Sequence, residues 1–290
     1  MIIGHIPIRE RLWRAIDRER AAHAYLFVGP ESVGKRAVAL ECGERFLGEA
    51  FPAEVSVIQP ERIEEKGKIR EAAIGIVSVR EATRALGLSS RSGSRRVLLI
   101  DDAHRLSESA QNALLKTLEE PPSGAIIFLI THEEGAMLET IRSRCERMAF
   151  SLVSEEVIGE VLTDIPEVLC RLGRPGIGFS YRENADVIVG ELEILEKLRA
   201  FHLLSFGDRA ALLESILPDA PRTERLLSWW AGLLEGNVIR PDLSIDRIDT
   251  IRLLGSVSAT LRDIRRFPGS ARIALEMLFF FRKSASSYLP

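Results

Sequence analysis

The sequence predicts an α/β fold: an αβα parallel-sheet module carrying a phosphate loop, followed by an all-α half. Three observations predict it. Short apolar runs at 25–28, 55–58, 97–100 and 126–130 alternate with amphipathic stretches through the first half. Strands that are apolar at successive positions belong to sheets covered on both faces. Residues 29–36 then supply a Gly-x4-Gly-Lys loop between one such run and a helically spaced stretch. Past Phe150 strand-like punctuation stops and helical periodicity takes over.

The elements follow in order. Tyr25-Leu26-Phe27-Val28 is a strand that ends at Gly29-Pro30, and residues 35–47 continue as a helix through Val38, Leu40 and Phe46. Val55 to Ile58 is a second strand, closed by Gln59-Pro60. Residues 61–71 form a mixed charge run, read as a solvated loop. Val97 to Ile100 is a buried strand running into Asp101-Asp102. Ser107 to Glu120 is a helix with Ser107 as N-cap and Pro121-Pro122 as its stop. Ile126 to Ile130 is a third strong strand. In the second half, Ile188, Leu192, Leu195 and Leu198 share one helical face, as do Ile248, Ile251, Leu254, Val257, Leu261 and Ile264. Segments 206–217, 221–235 and 270–288 also read as helical. Trp229-Trp230 and Phe279-Phe280-Phe281 do not fit on one helical face, so some of these rings are expected to meet a partner.

Composition narrows the function classes. The chain has 290 residues, 46% hydrophobic and 28% charged, with a formal net charge of −3. That length predicts two or three domains and a core that needs no staples. The acidic balance argues against a dedicated DNA-binding module. Cys42, Cys145 and Cys170 are odd in number and far apart, which argues against a disulfide framework and excludes a four-cysteine zinc site, and no Cys/His spacing suits a mixed one. No run reaches the ~20 apolar residues of a membrane span. The N-terminus lacks a signal-peptide layout. A reducing cytoplasm is the expected location.

The chemistry begins at Gly29-Pro30-Glu31-Ser32-Val33-Gly34-Lys35-Arg36. Glycines let backbone N–H groups wrap a phosphate at a helix N-terminus, and Lys35 stands where the phosphate-binding lysine belongs. Position 36 carries Arg in place of the Ser/Thr whose hydroxyl ligates Mg2+. A guanidinium there sets a cation where the metal should be. At ~4 Å two unit charges repel by about 1 kcal/mol in water and by more in a shielded pocket. The loop therefore reads as a degenerate P-loop, or as a strand–helix turn without a ligand. Possible occupancy is restricted to weak ATP or ADP without Mg2+. Asp101 and Asp102 end a strand in the manner of a Walker B motif, where one acid holds Mg2+ and the next orients water. The alternative is a strand end with solvated carboxylates. Thr131 is either a sensor-like polar group beside a γ-phosphate or a turn residue.

Several stretches resemble the delta-prime subunits of bacterial DNA polymerase III clamp loaders, members of the AAA+ superfamily. They are His23-Ala-Tyr-Leu-Phe-Val-Gly-Pro30, Asn112-Ala-Leu-Leu-Lys-Thr-Leu-Glu-Glu-Pro-Pro122, Ile141-Arg-Ser-Arg-Cys145 and Ala271-Arg-Ile-Ala-Leu-Glu276. The likeness is close over about 1–150 and looser beyond. It implies a AAA+ module at 1–151, a helical lid at 152–186 and a helical collar at 187–290. It also implies that Arg144, flanked by Ser143 and Cys145, acts as an arginine finger on the ATP site of an adjacent subunit. On the residues alone, Arg144 belongs with Arg142 and Arg147 to a solvated basic rim.

Departures refine the resemblance. Gamma/tau ATPase subunits keep Ser/Thr at the end of the P-loop, so Arg36 favours delta-prime. Asp102 is one methylene shorter than the Glu usual in AAA+ enzymes. Gly176, in Gly173-Arg174-Pro175-Gly176, occupies the place of the lid's sensor arginine, and Arg174, preceding a proline, is not assigned that role. A family zinc module is missing because only Cys42 lies near, so no zinc is expected. The implied function is a non-hydrolysing subunit of the DNA polymerase III holoenzyme. It would work with gamma/tau and delta in a pentameric ring that loads the sliding clamp onto primer-template DNA. An active gamma/tau-like ATPase and a scaffold with a relic P-loop remain the alternatives.

Overall fold

The computed structural model describes residues 1–65, 68–87, 95–217, 220–239 and 245–281. The chain forms two compact units, Met1–Val153 and Ser154–Pro290.

The first unit is a five-stranded sheet in the order β2-β5-β6-β1-β7. The strands are β1 Ala24–Val28, β2 Val55–Ile58, β5 Arg96–Ile100, β6 Ala125–Thr131 and β7 Glu146–Ala149. All of its neighbouring strands pair in parallel. The side-chain period of two sorts each strand between two cores. Tyr25, Phe27, Leu99, Phe128 and Ile130 point to one face, where helices α1 (Ile6–Asp17) and α2 (Lys35–Leu47) contribute Leu12, Ile16, Val38 and Cys42. Leu26, Val28, Leu98, Ile100, Ile127 and Leu129 point to the other, against Val79 and Leu86 of α3 (Ile76–Gly87) and Leu114 and Leu118 of α4 (Glu108–Glu119). This is the αβα sandwich that continuous apolar strands require. The rings of Tyr25, Phe27 and Phe128 pack mutually, with Tyr25 stacked on Phe128 at 5.6 Å. Ser107 caps α4 as expected, its Oγ accepting the Ala110 N–H at 3.2 Å.

The charge run at 61–71 departs from its reading as a loop. Arg62–Glu65 (β3) and Lys68–Glu71 (β4) pair as an antiparallel ribbon. Three of the four residues in each of these strands are charged, and the lack of a run of apolar alternation hides the ribbon from pattern reading.

The second unit is helical throughout its described residues. Its longest helices are Ala220–Ile239 and Arg247–Arg266, 20 residues each, joined internally by a buried hydrogen bond from Asn237 Nδ2 to Thr250 Oγ1 at 2.9 Å. The core gathers Leu195, Leu198, Phe201, Leu227, Trp230, Val257, Ile264 and Phe279. Phe201 packs edge-on against both Trp230 and Phe279 at 4.9 Å.

Two expectations change here. Trp229 and Trp230 are both buried within the unit. Helix Ala220–Ile239 is covered on more than one side, so adjacent indoles need no outside partner. Phe279 is buried and Phe280 half-buried against the same core, and the side chain of Phe281 lies outside the described residues. The stripe on Arg247–Arg266 is buried only toward its C-terminal half: Ile248 and Ile251 are 63% and 50% exposed. The expected helix at 270–288 is present as Ala271–Glu276, widening into a π-turn over Met277–Phe281, and its remainder lies outside the described residues. No described helix is long and apolar enough to cross a membrane.

Candidate nucleotide pocket and rim arginine

The phosphate loop follows β1 at the carboxyl end of the parallel sheet, where such sheets place their ligands. Gly29 (φ 144°), Ser32 (φ 58°) and Gly34 (φ 105°) turn the backbone through left-handed values before α2 begins at Lys35. At Gly29 space also decides: a Cβ would lie 2.2 Å from the carbonyl oxygen of Phe150. The loop thus has the form that cradles phosphate on N–H groups.

Its side chains are differently engaged. Lys35 is 7% exposed, and its Nζ donates to the carbonyl oxygens of Gly29 at 2.7 Å and Pro30 at 2.5 Å. A phosphate must compete with these carbonyls for the ammonium. Arg36 Nη1 donates to Gln59 Oε1 at 2.8 Å and to Asp101 Oδ2 at 3.3 Å. The guanidinium therefore pairs with the acid that would ligate Mg2+. With Arg36 about half exposed, the pair contributes little to folding, but it sets a cation beside the Asp101 carboxylate.

Asp102 adopts a left-handed conformation (φ 48°, ψ 49°), and its N–H donates to Asp101 Oδ1 at 3.1 Å. Thr131 ends β6 in a buried position and its Oγ1 accepts the Glu133 N–H at 2.9 Å, as a turn residue does. The next residue, His132, was not singled out by sequence. Its Nε2 lies 3.0 Å from Glu31 Oε1 and its Nδ1 3.9 Å from Asp102 Oδ1. Its ring meets that of His104 at 4.1 Å between centroids. Gln59 and His132 come from other strand ends, far away in sequence, and no local pattern marks them.

Arg144 lies elsewhere. It follows the short helix Glu139–Arg142 (α5) and precedes β7. Because β7 runs parallel to β1 with Glu146 opposite Tyr25 and Ala149 opposite Val28, Arg144 enters at the amino end of the sheet. The phosphate loop leaves at the carboxyl end, about 16 Å of strand away at ~3.3 Å per residue. The Arg144 side chain is 36% exposed, with Nη2 2.9 Å from Glu119 Oε1 and Nη1 donating to Thr140 O at 3.0 Å. Arg147 is held bidentately by Glu134 at 2.8 and 2.9 Å, and this bond holds the Glu134 carboxyl below its ordinary pKa. Ser143 Oγ donates to Thr140 O at 3.1 Å. Burial pushes the Cys145 thiol up to about 12, so it is not a nucleophile at neutral pH.

In the second unit Gly176 sits in the first turn of helix Pro175–Glu183. Arg174 is buried and donates from Nη2 to Ser228 Oγ at 3.0 Å and to Ser228 O at 3.3 Å, a structural engagement.

A family model described as "DNA polymerase III, delta subunit" matches residues 5–154, just over half of the chain. The chain belongs to this delta-prime family of AAA+ clamp-loader-type proteins. Among curated relatives it is similar to DNA polymerase III subunit delta' of Pseudomonas aeruginosa, 32% identical over 184 residues, covering 55% of this chain and 54% of the relative. It resembles DNA polymerase III subunit delta' of Escherichia coli at 42% identity over 102 residues, 32% of this chain and 30% of that one. The tau subunit of Bacillus subtilis is 32% identical over 166 residues, 54% of this chain and 30% of its own length. The chain thus spans about half, or less, of the length of these delta-prime and tau relatives. The fold is like that of a DNA polymerase III gamma subunit-related protein from Thermotoga maritima, with a TM-score of 0.54, 23% identity, and coverage of 93% and 97% of the two chains.

Proposed function

We propose that this family member is a clamp-loader subunit that does not hydrolyse ATP itself and donates Arg144 to the ATP site of a neighbouring gamma/tau subunit. In this reading it works in the cytoplasm, with gamma/tau and delta in a pentameric ring that loads a sliding clamp onto primer-template DNA within the DNA polymerase III holoenzyme. The observation that carries it is the separation of the two sites along the sheet. Arg144 enters β7 at the amino end of the strands, opposite the carboxyl end that carries its own phosphate loop, so a finger role requires another subunit's nucleotide. Arg36 paired to Asp101 supports the loss of Mg2+-dependent hydrolysis in this subunit. Glu119 is a partner that Arg144 would exchange for a γ-phosphate on assembly. Such an exchange is favourable because phosphate carries more charge and offers bidentate acceptors.

The test is a reconstituted complex with gamma/tau and delta, assayed for clamp- and DNA-stimulated ATP hydrolysis. Arg144→Ala is expected to lower the turnover of the adjoining site by about 10³-fold, the lower range for arginine fingers, with assembly on gel filtration intact. Unchanged turnover in an intact complex would overturn the finger role; hydrolysis by the isolated chain would then mark an active ATPase, and its absence the scaffold reading, which the engagement of Lys35 by its own loop favours.

A further inference from the structure

Among the described residues, one group of carboxylate and imidazole ligands is gathered closely enough to share a metal ion. It consists of Asp102, His104 and His132, all half-buried, with one ligand atom from each lying within 4.8 Å of the others. Two neighbouring parallel strands bring them together. Asp102 and His104 follow β5 through the turn Ala103–Arg105, and His132 follows β6. Donors bound tetrahedrally to one ion at ~2.0–2.2 Å lie about 3.4 Å apart. Closing this set therefore takes side-chain rotations that move each atom by less than ~1 Å, within the reach of a half-buried imidazole or carboxylate.

Glu31 supplies a second, independent feature. Its Oε1 lies 3.0 Å from His132 Nε2, while Nδ1 of the same ring faces Asp102 Oδ1 at 3.9 Å. A carboxylate on one imidazole nitrogen draws the proton to that side and leaves the other nitrogen's lone pair for a metal. This carboxylate–histidine–metal relay is the usual outer shell of a histidine ligand. The 3.9 Å between Nδ1 and Oδ1 is too long for a hydrogen bond and close to the separation of two donors that share one ion.

We propose that Asp102, His104 and His132 form a site for one divalent cation of the Zn2+ class, with Glu31 as the positioning residue for His132. Two imidazoles and one carboxylate suit a borderline cation such as Zn2+ or Co2+. Mg2+, which prefers an all-oxygen octahedron, is disfavoured. The site therefore differs from the Mg2+ position beside Asp101, which Arg36 covers. It also departs from the expectation of no zinc, which rested on the cysteines and on Cys/His spacing and did not weigh an Asp/His set. The ion would tie the ends of β5 and β6 to the phosphate loop through Glu31. It does not depend on the role of Arg144.

The experiment uses the untagged full chain, stripped of metal. Zn2+ is titrated by calorimetry, and Co2+ by its visible absorption. One equivalent of either is expected, with a Co2+ spectrum free of thiolate charge transfer. Glu31→Gln should weaken binding by about 10-fold with a shifted Co2+ spectrum, the lower range for an outer-shell partner, and His104→Ala and His132→Ala should each weaken it by more than about 100-fold, beyond that outer-shell range. Circular dichroism of the metal-free variants checks that they fold. A His104→Gln/His132→Gln pair replaces any alanine variant that does not. Binding that survives in the double histidine variant, a thiolate band in the Co2+ spectrum, or absence of stoichiometric binding by the folded wild type would each overturn the site. Equal displacement of Zn2+ by Mg2+ would do so as well.

Discussion

At position 36 the sequence had a guanidinium where a hydroxyl belongs, and the structure shows what that exchange does. Arg36 reaches across to Asp101 and Gln59, so under the proposed reading the guanidinium engages the carboxylate a metal would need as well as replacing a ligand. Arg36→Thr should reverse both effects. It restores the hydroxyl and releases the Asp101 carboxylate, and it should tighten binding of a fluorescent ATP analogue in the presence of Mg2+ by about tenfold, roughly one charge-assisted hydrogen bond. Turnover by the isolated variant should stay low, since the shorter Asp102 and Gly176 remain. If Mg2+ makes no difference to the variant's affinity, the Arg36–Asp101 pair is not what keeps the metal out. The motif residues of this pocket were legible because a P-loop is local: eight consecutive residues carry it. The partners of those residues were not. Gln59, His132 and Glu119 reach the loop, Asp102 and Arg144 respectively through strand order and helix packing, which no spacing in the sequence encodes.

Among the elements, apolar strands were the easiest to find. Each run at 25–28, 55–58, 97–100 and 126–130 became a strand within one residue at either end; the inner strands are apolar at nearly every position because the sheet is covered on both faces, whereas edge strand Val55–Ile58 holds Ser56 and an exposed Val57. The ribbon Arg62–Glu65 and Lys68–Glu71 was invisible for the converse reason, having no apolar face to report it. The stripe through Ile248 and Ile251 failed differently: periodicity shows that a face is apolar, and burial depends on what packs there. Caps were legible and carry a measurable share of stability. Ser107 accepts the Ala110 N–H at the start of α4, the helix that contributes Leu114 and Leu118 to the core and Glu119 to Arg144. Ser107→Ala leaves that N–H without its side-chain acceptor and should cost about 1 kcal/mol. Urea denaturation reads this as a lower midpoint at unchanged slope. A cost near zero would mean that water replaces the cap without penalty.

Taken over the whole molecule, stability should fall with pH in two separate windows, and the pKa directions give the sign of each. His5 lies with Nε2 2.9 Å from the Val33 carbonyl and its ring edge-on to Phe150. Burial pushes its pKa below the ordinary 6.5; the Val33 hydrogen bond opposes that shift, while the nearby Lys35 and Arg9 charges add to it. In the second unit burial, helped by Arg209, lowers His202 in the same direction. A histidine with a lowered folded pKa takes up its proton more readily when unfolded. Its contribution is therefore complete above the unfolded value, declines as pH falls through about 6.5, and levels off below the folded value. The carboxylates held below their ordinary values act lower on the scale. Glu134 is lowered chiefly by its hydrogen bond from Arg147, Glu167 by Arg171 and Glu193 by Lys197. Their contribution is present above the unfolded carboxylate range, about 4, and is lost as pH falls through their folded values. These pairs are exposed, so that second loss is shallow and weakens further with salt. The histidine share of the first window rests on two side chains and can be removed. The double variant His5→Gln/His202→Gln should lose the downward slope that the wild type shows between about pH 7 and 5, leaving the shallow opposite slope of Glu235, whose carboxyl is raised by burial. Both should then decline together at lower pH as the carboxylates protonate. A wild-type slope that persists unchanged in the double variant would assign the first window to other groups. A slope of opposite sign would mean that the Val33 hydrogen bond outweighs burial at His5.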